Sequence, residues 1–116
     1  MKRPGKIVLI KFPGTDMANF KFRPALVLKK VPGKYDDWLI CMITSRRDQY
    51  IEGFDEILEE TSNDFAMSGL KKTSVIRLAR LAIVAEEIIA GSIGEISQKR
   101  LKQIKTRIAK WIRSDS

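Results

Sequence analysis

Two apolar runs each deliver a side chain suited to phosphate chemistry. Arg23 opens Arg23-Pro24-Ala25-Leu26-Val27-Leu28, and Thr44 with Ser45 closes Leu39-Ile40-Cys41-Met42-Ile43-Thr44-Ser45. A guanidinium is a planar fork that matches two phosphate oxygens, and a hydroxyl can both donate and accept. The chain contains no His, so imidazole acid–base catalysis is excluded. Chemistry at these residues would rest on alignment and on stabilising developing negative charge, because an arginine keeps its proton at any working pH.

The elements that must position them follow from the apolar pattern. Ile7-Val8-Leu9-Ile10 is a short β-rich run, and Pro13-Gly14-Thr15-Asp16 reads as a turn. Phe22 to Val31 forms a second strand, with Pro24 marking an edge or a bulge near its start. Trp38 to Ile43 is apolar throughout, as a central strand would be. Arg46 to Gly69 reads as a long polar loop with a short strand near Glu56–Leu58, and Thr73 to Leu78 as a fourth main strand. Leu81 to Ala90 fits either a strand pair or a short helix. Ser97 to Arg113 is a helix: Ser97 is a good N-cap, and Leu101, Ile104, Ile108, Trp111 and Ile112 make one apolar stripe. Trp38 and Trp111 are expected in the core. The sum is a small barrel or strongly curved sheet with one C-terminal helix, in a single domain over residues 1–116.

Charge is unevenly distributed along the chain. The formal net charge is +8 over 116 residues, which favours polyanionic partners. From Asp48 to Asp64 every charged residue is acidic, and from Ser97 to Arg113 every one is basic. Such a molecule would orient near a nucleic acid, one end attracting phosphates and the other repelling them. Cys41, the lone cysteine, lies in an apolar run and reads as a small buried hydrophobe. No metal cluster or cofactor motif is evident. No apolar run is long enough for a signal peptide or a membrane span, so a cytoplasmic location is expected.

Taken in order, these residues resemble the PemK/MazF family of toxins. Gly5-Lys6-Ile7-Val8-Leu9-Ile10-Lys11-Phe12-Pro13 with Thr15-Asp16 is similar to the opening strand and first loop of that family. Lys21-Phe22-Arg23-Pro24-Ala25-Leu26-Val27-Leu28 resembles its second strand, and Ile43-Thr44-Ser45 the end of its third. Asp64-Phe65, Ser68-Gly69-Leu70 and Ser74-Val75-Ile76-Arg77-Leu78 resemble its later strand region. Ile93-Gly94-Glu95-Ile96-Ser97 resembles its lead into the final helix.

The resemblance implies an SH3-like β-barrel of the CcdB/MazF kind with a C-terminal amphipathic helix, and a homodimer. It also implies the toxin of a toxin–antitoxin system that cleaves single-stranded RNA without a metal, blocked by an acidic antitoxin whose disordered tail fills the RNA groove. RNA carries its own nucleophile, the 2′-hydroxyl. On this reading Arg23 and Thr44 are the catalytic residues, and Ser45, Lys21, Phe22 and Arg77 contact RNA. Two features depart from active members. The loop between Phe12 and Arg23 is shorter, and Arg77-Leu78-Ala79-Arg80-Leu81-Ala82 lacks the Asp that some members place beside a catalytic Arg. A gyrase-inhibiting binder of the same fold, or a member that binds without cutting, therefore stands as the rival reading.

Overall fold

The computed structural model describes residues 3–13 and 20–115. The sheet strands are β1 (Lys6–Pro13), β2 (Phe20–Lys30), β3 (Asp37–Thr44), β4 (Glu56–Leu58), β5 (Ser74–Ala85) and β6 (Ile89–Glu95). Helix α1 is a single turn, Phe65–Ser68, and α2 spans Gln98–Arg113. The six strands form one antiparallel sheet in the order β4-β5-β3-β2-β1-β6. Leu81 to Ala90 resolves as strand: β5 runs to Ala85, a 3-10 turn covers Glu86–Ile88, and β6 begins at Ile89.

That short turn dictates the curvature. β5 and β6 are separated in the sheet by β3, β2 and β1. Four ladder spacings in a flat sheet would amount to about 19 Å. The four residue steps from Ala85 to Ile89 reach at most about 14 Å. The sheet must therefore curl, and Val84 of β5 and Ile89 of β6 pack against the same apolar cluster. The outcome is barrel-like, although the sheet is not closed by a ladder between its edge strands. β5 bends where its register with β3 jumps from Met42↔Arg77 to Cys41↔Leu81. There the backbone N–H of Leu78 donates to Asp55 Oδ1 at 3.0 Å.

Strand alternation sends side chains to two faces. On one face Ile7, Leu26, Leu28, Cys41, Ile43, Ile76 and Leu78 pack with Leu101, Ile104 and Ile108 of α2. On the other, Val8, Ile10, Ala25, Val27, Trp38 and Ile40 form a second cluster. Ser97 caps α2 as expected, its Oγ accepting from the Arg100 N–H at 3.1 Å. Trp38 is buried, and its indole N–H donates to Asp36 at 2.7 Å. Trp111 departs from expectation. It is 45% exposed, edge-on to Phe54 with ring centroids 5.3 Å apart, and Ile112 is more exposed still. The apolar stripe outruns the cluster it packs against, since the buried contacts of α2 end at Ile108. Cys41 is buried as expected, and burial with the nearby Asp55 charge pushes its thiol up to about 12.

The acidic and basic runs are not opposite ends of the molecule. Arg100 forks onto Asp64, with Nε to Oδ2 at 2.9 Å and Nη2 to Oδ1 at 3.2 Å, and reaches Glu56 Oε1 at 2.9 Å. Arg107 meets Glu56 Oε2 at 2.8 Å and the Phe54 carbonyl at 2.9 Å. The expected electrostatic dipole is thus partly neutralised within the fold, and these forks pin α2 to the segment before β5. Burial would raise the Asp64 carboxyl, but hydrogen bonds from Arg100 and the Ser97 N–H outweigh it and hold the carboxyl below its usual range.

Close backbone approach joins α1 to β6. Gly69 follows α1 in the left-handed region at φ 74°, and a Cβ there would lie 2.0 Å from the Ile93 carbonyl oxygen. A Cβ on Gly94 would lie 2.3 Å from the Ser68 backbone. Only glycine fits such a contact, so Gly94→Val is expected to destabilise the protein by about 2 kcal/mol or more, read as a lowered urea midpoint. A second expectation concerns acid. A carboxylate with a depressed folded-state pKa adds stability above its unfolded value and loses it as pH falls through the folded value. Asp64→Asn should lower stability by about 3 kcal/mol at pH 7. It should also flatten the decline of stability below about pH 4, measured by urea unfolding across pH.

Candidate functional site

β2 and β3 deliver the candidate side chains from their adjoining ends. The β1–β2 ladder sets Arg23 opposite Ile10, and the β2–β3 ladder sets Ala25 opposite Met42. The β2–β3 ladder stops there, directly after Pro24, which has no N–H to donate. Counted two residues past the last pair, the same register would set Arg23 against Thr44, at the end of the strand beside it. On the far side of β3, Met42 is paired with Arg77 and Thr44 with Val75. Residues paired across a ladder share a face, as do residues two apart on a strand. Lys21, Arg23, Thr44 and Arg77 therefore share the face opposite α2.

Each has a distinct environment. Arg23 is exposed and makes no hydrogen bond or ion pair with another described residue. The acidic segment therefore does not hold it. Thr44 is half-buried, and its Oγ1 accepts from the Arg46 N–H at 3.1 Å. That bond fixes the oxygen at the strand end and leaves the hydroxyl proton available to an incoming acceptor. Ser45 lies exposed in the bend just beyond. Lys21 is exposed toward the end of β2 that precedes Arg23. Phe22 is 53% exposed but points to the other face, the one that carries α2, because it alternates with Lys21 and Arg23. Thr15, Asp16 and the Phe20 side chain lie outside the described residues.

Arg77 has a partner that sequence reasoning missed. Its Nη1 donates to Gln49 Oε1 at 2.9 Å, while its Nε is buried without a hydrogen-bond partner. Gln49 ends the 3-10 turn Arg47–Gln49, which follows β3 almost at once. The loop is tied down by Asp55, itself 3% exposed, whose two oxygens accept from the Ile51 N–H at 2.9 Å and from Leu78 on β5. A neutral Gln in a stretch whose charges are all acidic carries no signature of its own. Its one sequence clue is its closeness to Thr44.

Chemically, the described residues of this face offer donors and no carboxylate or imidazole to accept a proton. Two guanidinium groups and a hydroxyl proton suit an anion with several oxygens. A separate basic hollow lies along α2, lined by Lys102, Gln103, Thr106, Arg107 and Lys110. It opens on the side of the sheet away from Arg23 and Thr44. No described helix is long and apolar enough to cross a membrane.

Comparison with known proteins agrees with the architecture. A family described as PemK-like, MazF-like toxin of type II toxin–antitoxin system matches residues 3–112. Among solved structures, the Mycobacterium tuberculosis toxin MazF-mt6 is similar with a TM-score of 0.66, covering 96% of this chain and 99% of that one at 16% identity. Identity that low speaks to the fold. A search of curated proteins finds no match.

Proposed function

This chain belongs to the PemK-like, MazF-like toxins of type II toxin–antitoxin systems, and on that premise we propose that it is an endoribonuclease that cuts single-stranded RNA without a metal. The observation that carries this reading is the shared face of Arg23, Thr44 and Arg77. Those side chains supply what RNA does not bring itself. The substrate's 2′-hydroxyl attacks the adjacent phosphorus, the O2′–P bond forms and the P–O5′ bond breaks. The products are a 2′,3′-cyclic phosphate and a 5′-hydroxyl. The proton leaving O2′ passes to solvent, and the departing O5′ takes one up. Charge accumulates on the non-bridging oxygens as the phosphorane forms, and Arg23 is placed to stabilise it. Thr44 donates its hydroxyl proton to the same phosphate and orients it. Lys21 and Ser45 extend the contact along the strand.

An antitoxin follows from the family. We take it to be acidic, with a disordered segment that folds onto this face and excludes RNA. Phe22, turned to the other face, is a poorer candidate for stacking a base in this site than Lys21 is for holding a phosphate. A homodimer and a cytoplasmic location complete the proposal.

The purified protein should cleave single-stranded RNA in EDTA and leave cyclic-phosphate and 5′-hydroxyl ends. Arg23→Ala, with an unchanged circular dichroism spectrum, should reduce cleavage by about 100-fold or more. A substrate with a deoxyribose 5′ to the cut should resist. Intact RNA with the folded wild type, or full activity in Arg23→Ala, would overturn the assignment and favour a non-cutting binder of this fold.

A further inference from the structure

We infer that Gln49 is a positioning residue that sets Arg77 as a side-on phosphate clamp on the Arg23–Thr44 face; the inference rests on the ribonuclease reading above.

The geometry of the guanidinium carries it. An arginine presents two parallel N–H donors along the edge formed by Nε and Nη2, which is the edge that grips two oxygens of one phosphate. Gln49 takes the other nitrogen, Nη1, at 2.9 Å. Nε is buried with no acceptor, and Nη2 makes no hydrogen bond among the described residues. A buried donor without an acceptor is rare in a folded protein. Here it lies on the edge that an oxyanion would satisfy.

The chemistry of the partner points the same way. Seven acids lie between Asp48 and Asp64, and Glu56 and Asp64 are used to fork onto Arg100 and Arg107. The residue that meets Arg77 is a neutral amide from the same stretch. An amide oxygen orients the guanidinium and leaves its charge uncompensated, where a carboxylate would neutralise it. Among the described residues Arg77 has no ion pair. Its place two residues along from Val75, the partner of Thr44, lets one phosphate span the clamp and the hydroxyl.

The test uses a fluorescent RNA oligonucleotide carrying 2′-O-methyl groups, which binds without being cut, titrated over a series of KCl concentrations. Arg77→Gln and Gln49→Glu should each weaken binding about tenfold and lower the salt slope by roughly 0.7, the loss of one phosphate contact on a single strand. The double variant should be no worse than either. With cleavable RNA, Gln49→Ala should raise KM with little change in kcat, as the loss of a contact held throughout the reaction does, and Gln49→Asn should restore part of it. Melting curves check that each variant is folded, and Gln49→Leu replaces any that is not. Wild-type binding and slope in Gln49→Glu and Gln49→Ala, beside a weakened Arg77→Gln, would overturn the inference while cleavage stands. A wild type that binds with the expected slope changes but cuts nothing would sink the ribonuclease reading alone. A wild type that does not bind RNA would overturn both.

Discussion

A three-residue link between strands that stand four ladders apart is the constraint from which the rest of the structure follows. Glu86–Ile88 cannot span a flat sheet between β5 and β6. The sheet curls, the register of β5 with β3 jumps, and Val84 and Ile89 pack against one cluster. Strong curvature gives the two faces different fates. One is sealed by Leu101, Ile104 and Ile108 of α2. The other is filled toward the Trp38 side and carries Arg23, Thr44 and Arg77 nearer the open ends of β2 and β3. The β6 edge is covered by backbone contact with α1, at Gly69 and Gly94, where no side chain would fit.

Electrostatics complement this division. The acids that could compete with RNA for cationic side chains are partly committed elsewhere. Glu56 and Asp64 are held by Arg100 and Arg107 on the α2 side, and Asp55 is used for two backbone N–H groups. Among the described residues Arg23 meets no carboxylate, and Arg77 meets an amide. The cationic character of the candidate face therefore comes from where the acids are spent, as much as from where the bases lie. In the proposed mechanism that matters more than net charge, because Thr44 and Arg77 are already held by hydrogen bonds and need little reorganisation as charge develops.

Much of this was legible in the sequence, for identifiable reasons. The strands announced themselves through short apolar runs such as Ile7–Ile10 and Trp38–Ile43, and α2 through its 3.6-residue stripe and Ser97 cap. That Arg23 and Thr44 fall on neighbouring strands could be anticipated because the two apolar runs are consecutive. Four features were not legible. Leu81–Ala90 satisfies both periodicities, and only its pairing with β3 and β1 resolves it as strand. Trp111 has the spacing of a core residue, but sequence does not say where a helix outruns its sheet. The charge runs suggested opposite poles, whereas ion pairs between residues 36 to 51 positions apart bring them together. Gln49 is the clearest case, since its role depends wholly on the side chain that β5 sets beside it.

The central claim is that RNA lies on the face of Arg23, Thr44 and Arg77 and away from α2. The most direct measurement is a footprint by NMR, following backbone amides as a 2′-O-methyl RNA is added. The account predicts shifts at Arg23, Thr44 and Arg77, with Lys102, Thr106 and Lys110 unmoved. Shifts confined to the basic hollow along α2, with the opposite face silent, would contradict it.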